Sequence, residues 1–240
     1  DYEYAVARDP RRLPPPAATG REAGLRTAHR LGAVKLTTRT VPVLFPARHA
    51  RGLVGSLLGA ISGGAQYRRA SFLAGQAGQQ VFADWIRIDE RPHLPGALAS
   101  AAFDDEGVAT RDRTLIDGGV LTGYLLGSYY ARKLGLESTG NAGGAHNIVV
   151  ASSGQDFAGL LAELDTGLLV GDLMGSGVNP VTGDYSRGAA GFWVERGEIR
   201  YPVSEITVAG NLRDIYRGIR AIGTDVDDRG TVLTGSILVD

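Results

Sequence analysis

The most regular hydrophobic pattern in the chain runs from Ala47 to Gly64. Its apolar residues repeat at the spacing of one helical face: Leu53, Val54, Leu57, Leu58 and Ile61. A second face carries glycine at every fourth position: Gly55, Gly59 and Gly63. Each glycine inside a helix costs roughly 1 kcal/mol relative to alanine. We therefore expect a central, buried helix here, with another part of the protein packed closely against its glycine face.

Most of the remaining chain alternates between apolar and polar residues, which is typical of β-strands. Strands are predicted at Val34–Phe45, Val81–Ile88, Asn147–Ser152, Leu168–Met174, Ile206–Ala209 and Thr231–Val239. Two hairpins are predicted, one over Gly107–Leu126 with its turn at Asp117-Gly118 and one over Gly188–Val203 with its turn at Arg196-Gly197.

Short helices interrupt the predicted strands singly rather than in regular alternation. One begins at a capping box formed by Thr19 and Glu22 and ends at Gly32, and the others are predicted at Tyr129–Leu134, Asp156–Leu164 and Leu212–Ile219. This pattern predicts an α+β fold with mostly antiparallel β-sheet, hairpins and a buried central helix.

Residues 1–32 are predicted to form a linker and a leading helix, and residues 33–240 a single domain. The linker contains the stiff run Pro14-Pro15-Pro16. The chain opens on Asp-Tyr-Glu-Tyr without an initiator methionine, from which we expect that an N-terminal part of the protein is missing.

The overall charge is balanced, with 25 basic and 26 acidic residues and no long run of either sign. We therefore expect neither a nucleic acid nor a membrane surface as partner. The absence of cysteine excludes thiolate ligands and thiol nucleophiles within this chain and fits a reducing compartment. Because no apolar run approaches about 18 residues, we expect a cytoplasmic protein.

No complete catalytic set is visible in the residues themselves. The four histidines, His29, His49, His93 and His146, are far apart, and none has the spacing of a zinc-binding helix. The run around Ser186 has one residue too many for a G-x-S-x-G motif. The acidic clusters Asp104–Glu106 and Asp225–Asp228 are interpreted as solvated turns.

Several long stretches, in this order, resemble the C-terminal part of the TldD/PmbA family, in particular its PmbA (TldE) branch. These stretches are Gly63–Leu73, Phe103–Thr110, Gly123–Leu134, Ser138–Gly143, Gly183–Glu195 and Gly197–Leu212. The resemblance covers about Val41 to Asp240. It implies a cytoplasmic heterodimer of a TldD-like and a PmbA-like subunit, and a further N-terminal domain.

In TldD-like subunits of this family, an H-E-x-x-x-H helix and a later cysteine hold zinc. The resemblance aligns Ser56, Leu57 and Ile61 with the first histidine, the glutamate and the second histidine of that motif, and places Gly230–Gly235 where the cysteine lies. Apolar side chains cannot bind zinc or act as a general base. The resemblance therefore implies zinc in a TldD-type partner and no cofactor in this chain.

The leading hypothesis is a non-catalytic subunit of a TldD-type metallopeptidase complex that degrades or processes unfolded peptides. The residues predicted to contact substrate lie in two loops: Asn141 and His146 in the first, and Asp184, Ser186 and Arg187 in the second. One alternative is a stand-alone peptide hydrolase that uses His146 and Asp184. Another is a regulatory binding protein, since the family is also known as modulators of DNA gyrase; the balanced charge would then require a protein partner.

Overall fold

Eleven strands form two β-sheets around a central helix in a computed structural model that describes residues 1–240. In chain order the strands are β1 (Val43–Phe45), β2 (Ile88–Glu90), β3 (Arg113–Asp117), β4 (Val120–Leu121), β5 (Ile148–Val150), β6 (Gly167–Met174), β7 (Asp184–Glu195), β8 (Glu198–Asn211), β9 (Ile219–Ile222), β10 (Val232–Leu233) and β11 (Ile237–Val239). The larger sheet has the order β8-β7-β6-β1-β11-β9, and the smaller sheet has the order β10-β5-β2-β3-β4.

Neighbouring strands are antiparallel except for β1 with β6 and β5 with β10. Six α-helices complete the fold: α1 (Pro16–His29), α2 (Ala47–Ala60), α3 (Gly63–Tyr67), α4 (Ser128–Leu134), α5 (Phe157–Leu164) and α6 (Leu212–Arg217). The predicted α+β class, with mostly antiparallel sheet, is confirmed.

The central helix α2 places its apolar face in the main hydrophobic core, as the sequence predicts. Leu57 and Ile61 are fully buried, and the buried hydroxyl of Tyr216 donates a hydrogen bond of 2.9 Å to the carbonyl of Leu53. The prediction of close packing on the glycine face holds only for Gly63, which lies beyond the end of α2 and packs against Tyr130, and is wrong for Gly55 and Gly59. Gly55 and Gly59 are exposed, and a Cβ added to either would have no atom within 4 Å. Burial of the apolar face therefore stabilises α2 without any packing on its glycines.

Both predicted hairpins are present. The turn between β7 and β8 is formed by Arg196 and Gly197, with φ of 55° and 72°. The turn between β3 and β4 lies one residue later than predicted, at Gly118 and Gly119. Both residues have positive φ, 53° and 75°, as a type I′ turn requires.

Several predicted strands are shorter or divided. Of Val34–Phe45 only the last three residues form β1, and of Val81–Ile88 only Ile88 belongs to a strand. Ile206–Ala209 is part of the long strand β8, and the final segment divides into β10 and β11, which belong to different sheets. Val81, Phe82 and Ile86 show why: their side chains are buried in the core, but their backbone joins no strand.

The leading segment lies against the domain mainly through charged groups. Helix α1 begins at Pro16, three residues before the predicted capping box, and buries none of its residues. Glu3 forms ion pairs with Arg26 in α1 and with Arg229 in the domain. The domain boundary at residue 32 stays a prediction. None of the helices combines the length and the apolarity needed to cross a bilayer.

Candidate functional site

A cleft of about 660 Å³ opens where α2 ends and α3 begins. Its walls are α4, the loop Asn141–Ala145 and the junction between α2 and α3. Much of the surface is glycine backbone, and the larger side chains on it are Leu58, Arg68, Glu106, Leu125, Tyr129 and Tyr130. The cleft is large enough for a peptide segment, since ligand pockets typically enclose about 300–1,000 Å³.

The junction between α2 and α3 is tied to the chain that leads into α4. The Gly63 amide donates to the Leu125 carbonyl at 2.9 Å, and the Leu125 amide donates to the Ile61 carbonyl at 3.0 Å. A Cβ at Gly63 would lie 2.7 Å from Cβ of Tyr130. Glycine is therefore needed at position 63 to bring α3 and α4 together in the cleft wall.

The loop Asn141–Ala145 is held from behind by the carboxylate of Glu90, which is 1% exposed. Glu90 Oε1 accepts hydrogen bonds from Asn141 Nδ2 at 2.7 Å and from the His146 amide at 2.8 Å. His146 Nδ1 donates to the same oxygen at 3.1 Å. Arg113 reaches Glu90 Oε2 at 3.9 Å and donates to Asn141 Oδ1 at 3.1 Å. Both ends of the loop are thus bound to one buried charged network.

A second carboxylate, that of Asp104, holds the loop from the side. Asp104 Oδ2 accepts from the Ala142 amide at 2.9 Å, and its Oδ1 accepts from the Glu106 and Val108 amides. Burial acts to raise the pKa of Asp104, but these three backbone donors outweigh it and hold the pKa below its usual value. The interpretation of Asp104 as part of a solvated turn is wrong, because this side chain is buried and fully engaged.

Aromatic side chains form the outer rim of the cleft. Tyr129 and Tyr130 contact edge to face with their ring centroids 5.0 Å apart, and Tyr67 lies 6.1 Å from Tyr130. Tyr129 is 57% exposed, and Arg68 donates to the Tyr130 hydroxyl at 3.4 Å. Glu106, the acidic side chain on this surface, accepts from the Ser128 amide at the start of α4. This rim offers stacking surfaces and hydrogen-bond donors rather than a nucleophile and a base.

The residues predicted to contact substrate do not come together. Asn141 lines the cleft, whereas His146 lies behind the loop, hydrogen-bonded to Glu90. Asp184, Ser186 and Arg187 lie in the other sheet, on strand β7 rather than in the predicted loop. Their role in substrate binding stays a prediction.

The pairing of His146 with Asp184, on which a stand-alone hydrolase would depend, is not formed. His146 Nδ1 is bound to Glu90, and Asp184 accepts hydrogen bonds from Thr182 Oγ1 and Asn211 Nδ2. Sequence reasoning missed Glu90 and Arg113, because neither belongs to a recognisable motif. The glycine-rich run before His146 was the usable signal for this part of the site.

The three positions aligned with the zinc motif do not share one surface. Leu57 and Ile61 are 0% exposed and face the core, while Ser56 on the outer side of α2 is half-buried. The residues of this region that line the cleft are Leu58, Ser62, Gly63 and Gly64. No histidine lines the cleft, and nowhere do three His, Cys, Asp or Glu side chains converge as a metal site would need.

These features define an α+β domain with a peptide-sized cleft beside its central helix. Residues 38–240 match the family model of the PmbA/TldA metallopeptidase C-terminal domain, and the chain belongs to this family. The family resemblance proposed from the sequence is thereby confirmed.

Individual relatives agree with this assignment. The metalloprotease PmbA of Escherichia coli O157:H7 is 52% identical over 239 residues, covering 100% of this chain and 53% of that protein. The chain thus spans about half the length of such relatives. A crystal structure of a proposed modulator of DNA gyrase from Thermotoga maritima matches with a TM-score of 0.92 and 33% identity, over 99% of this chain and 56% of that one. TldE from Thermococcus kodakarensis matches with a TM-score of 0.80 and 27% identity, over 93% of this chain and 54% of that one.

The family description implies a metal ion, and the side chains of this chain do not fit one. A catalytic zinc site uses three protein ligands, in practice histidine, cysteine or carboxylate. The cleft surface carries only Glu106 of these types, and its carboxylate already caps α4. No catalytic step can be derived through a metal held by these residues.

Proposed function

We propose that this chain is the C-terminal part of a non-catalytic PmbA/TldE-type subunit. In this proposal it acts in the cytoplasm as a heterodimer with a TldD-type metallopeptidase that holds the zinc ion and cleaves unfolded peptides. The observation that carries the proposal is the composition of the cleft. In a family described as metallopeptidases, the positions on the cleft side of α2 and at the start of α3 are Leu58, Ser62, Gly63 and Gly64, none of which offers the imidazole, thiolate or carboxylate that a zinc site uses.

The same cleft is suited to holding an extended peptide without cleaving it. Glycine backbone exposes N–H and C=O groups to a ligand, and these groups recognise a peptide main chain without regard to its sequence. Tyr129 and Tyr130 add amphipathic contact area with few rotatable bonds. Such a surface would help to enclose a peptide while the partner subunit hydrolyses it.

Reconstitution of the whole protein with a TldD-type subunit from the same organism tests the proposal. Cleavage of an unfolded peptide should require both subunits. It should be lost when a zinc-binding histidine of the partner is changed to alanine, and be retained in Ser56→Ala of this chain. Peptide cleavage by the whole protein alone, insensitive to chelators, would instead support a stand-alone hydrolase. Recovery of gyrase without any peptidase subunit would support a regulatory binding protein.

The role of the cleft is tested in the same assay with two matched variants. Tyr129→Ala should raise KM for the peptide several-fold, because it removes an exposed ring from the rim. Tyr201→Ala removes a 37% exposed tyrosine from β8, away from the cleft, and should leave KM unchanged. Equal effects of the two variants would contradict a peptide site at this cleft.

A further inference from the structure

A second cavity lies at the opposite end of α2, where the helix begins, and it is strongly basic. It encloses about 180 Å³, and its basic lining residues are Arg48, Arg51, Arg187 and Arg229. We call this cavity the arginine pocket. Tyr2 and Tyr4 form one wall, with their rings stacked at 6.4 Å, and Arg48 and Arg229 lie over these rings.

Three of the four guanidinium groups of the arginine pocket are poorly satisfied by the protein; Arg229, the fourth, is bound by Asp227 and Glu3. Arg48 reaches its acidic partner Asp1 only at 3.8 Å, and one of its nitrogens, Nη1, is buried without a hydrogen-bond partner. Arg187 donates from Nη2 to the Leu173 carbonyl at 3.0 Å, but its buried Nε has no partner. Arg51 reaches Asp227 only at 3.9 Å. Buried donors are normally paired, so Arg48 and Arg187 each keep a donor for which the protein supplies no acceptor.

The acidic residues around the pocket are already engaged, by Arg229 or by arginines outside the pocket. Glu3 pairs with Arg26 and Arg229, and Asp172 pairs with Arg30 at 3.5 Å. Asp227 is bound by two nitrogens of Arg229. No acidic side chain occupies the first turn of α2, which supplies Arg48 and His49 to the lining. The charge left without a close partner is therefore that of Arg48, Arg51 and Arg187.

His49 adds a neutral polar group to the lining. Its Nε2 donates to the Gly171 carbonyl at 2.9 Å, which leaves Nδ1 as an acceptor. Burial lowers the pKa of His49, and the neighbouring charges of Arg48 and Arg187 lower it further. Asp172 and the bond to Gly171 act in the opposite direction without reversing the shift. The neutral imidazole thus adds no positive charge to the pocket, and its Nδ1 can accept a hydrogen bond only from a ligand group that carries a proton, such as a protonated phosphate oxygen.

We propose that the arginine pocket binds a small oxyanion group, a carboxylate or a phosphate, through Arg48 and Arg187. Planar guanidinium groups bind both kinds of oxyanion with paired hydrogen bonds, and the small volume admits one such group rather than a large ligand. A peptide carboxyl terminus and a phosphoryl group share this chemistry. The site is separate from the peptide cleft, and it does not depend on peptidase activity in either subunit.

Calorimetric titration of the whole protein, at constant ionic strength, tests the site. Three probes are used: inorganic phosphate, N-acetyl-dialanine with a free carboxylate, and its C-terminal amide. Saturable binding of phosphate or of the free carboxylate, but not of the amide, is expected. A preference for phosphate would identify a phosphoryl ligand, and a preference for the carboxylate a peptide end; both results support the site.

Substitutions assign the binding to these arginines. Arg187→Gln and, separately, Arg48→Gln should weaken binding at least about tenfold, since each removes a charged guanidinium group that can donate two parallel hydrogen bonds to an oxyanion. Arg21→Gln, which changes an exposed arginine on α1, should leave binding unchanged. Thermal unfolding of each variant identifies any that is misfolded, and the other arginine then supplies the result. The proposal is wrong if neither oxyanion saturates the protein, or if binding persists unchanged in both variants.

Discussion

At the level of single residues, the buried carboxylate of Glu90 determines the shape of the cleft beside α2 and α3. One of its oxygens accepts three hydrogen bonds, two of them from His146 and one from Asn141, and the other faces Arg113. The chain between Asn141 and His146 contains glycines with φ of 91° and 127°, so this loop has little conformational preference of its own. The Glu90 network therefore supplies the order that the loop sequence does not.

Replacing Glu90 by glutamine should destabilise the protein by roughly 3 kcal/mol, because it leaves the buried charge of Arg113 without its partner. Urea unfolding of the variant and the parent protein measures this difference. Glu198→Gln is the matched control, since Glu198 is 68% exposed in its ion pair with Arg200 and such pairs contribute little. Equal midpoints for Glu90→Gln and the parent would show that the network is not structurally important.

The sequence could not identify Glu90 as a buried residue, because the residues around it do not show the alternation that marks one buried face of a strand. Ile88, Asp89 and Glu90 are all buried, although alternate residues of a strand normally face opposite sides. Strand β2 lies between β3 and β5, and Asp89 on its other face is bound by Thr114 and Arg87. Both polar residues thus have partners distant in sequence, and only the assembled sheet reveals them.

At the level of elements, the periodic pattern of α2 predicted which face of the helix is buried but did not predict the environment of the opposite face. The position and buried face of the helix followed from the spacing of its leucines and isoleucine. Whether its glycine face is packed or exposed did not follow from the sequence, because small residues are compatible both with a close helix contact and with exposure to solvent. Strands were harder for a related reason: the chain around Val81 and Phe82 buries its side chains without pairing its backbone.

Substitution by alanine should have opposite effects at Gly55, which is exposed on α2, and at Gly63, which is packed at the start of α3. Gly55→Ala should stabilise the protein by about 1 kcal/mol, because the position is exposed, helical and free of nearby atoms. Gly63→Ala should destabilise it by about 1–3 kcal/mol, because the new Cβ meets Tyr130 at 2.7 Å and Leu126 at 3.1 Å. The free energies of unfolding of the two variants provide the measurement. Stabilisation by both would mean that α3 and α4 can move apart at no cost.

At the level of the whole molecule, the leading segment is joined to the domain by charge rather than by a shared core. Helix α1 buries no residue, and Glu3 connects Arg26 of this helix to Arg229 of the domain. The side chain of Glu3 is only 13% exposed, so its ion pairs are partly shielded from solvent. The segment that forms a wall of the arginine pocket is thus held by polar contacts, among them the ion pairs Glu3–Arg229, Asp1–Arg48 and Arg30–Asp172.

Glu3→Gln should loosen this segment while leaving the two sheets intact. Loss of the charged hydrogen bonds should cost about 1.5 kcal/mol locally, so backbone amides of α1 should exchange with deuterium about tenfold faster. Amides of β7 and β8 should keep their exchange rates, because they belong to the larger sheet and not to the segment. Glu22→Gln is the control, since Glu22 contacts Arg26 from a position 56% exposed to solvent and should have little effect. Unchanged exchange in α1 of Glu3→Gln would mean that contacts other than this carboxylate hold the segment, whereas faster exchange throughout the sheets would mean that the segment stabilises the whole domain.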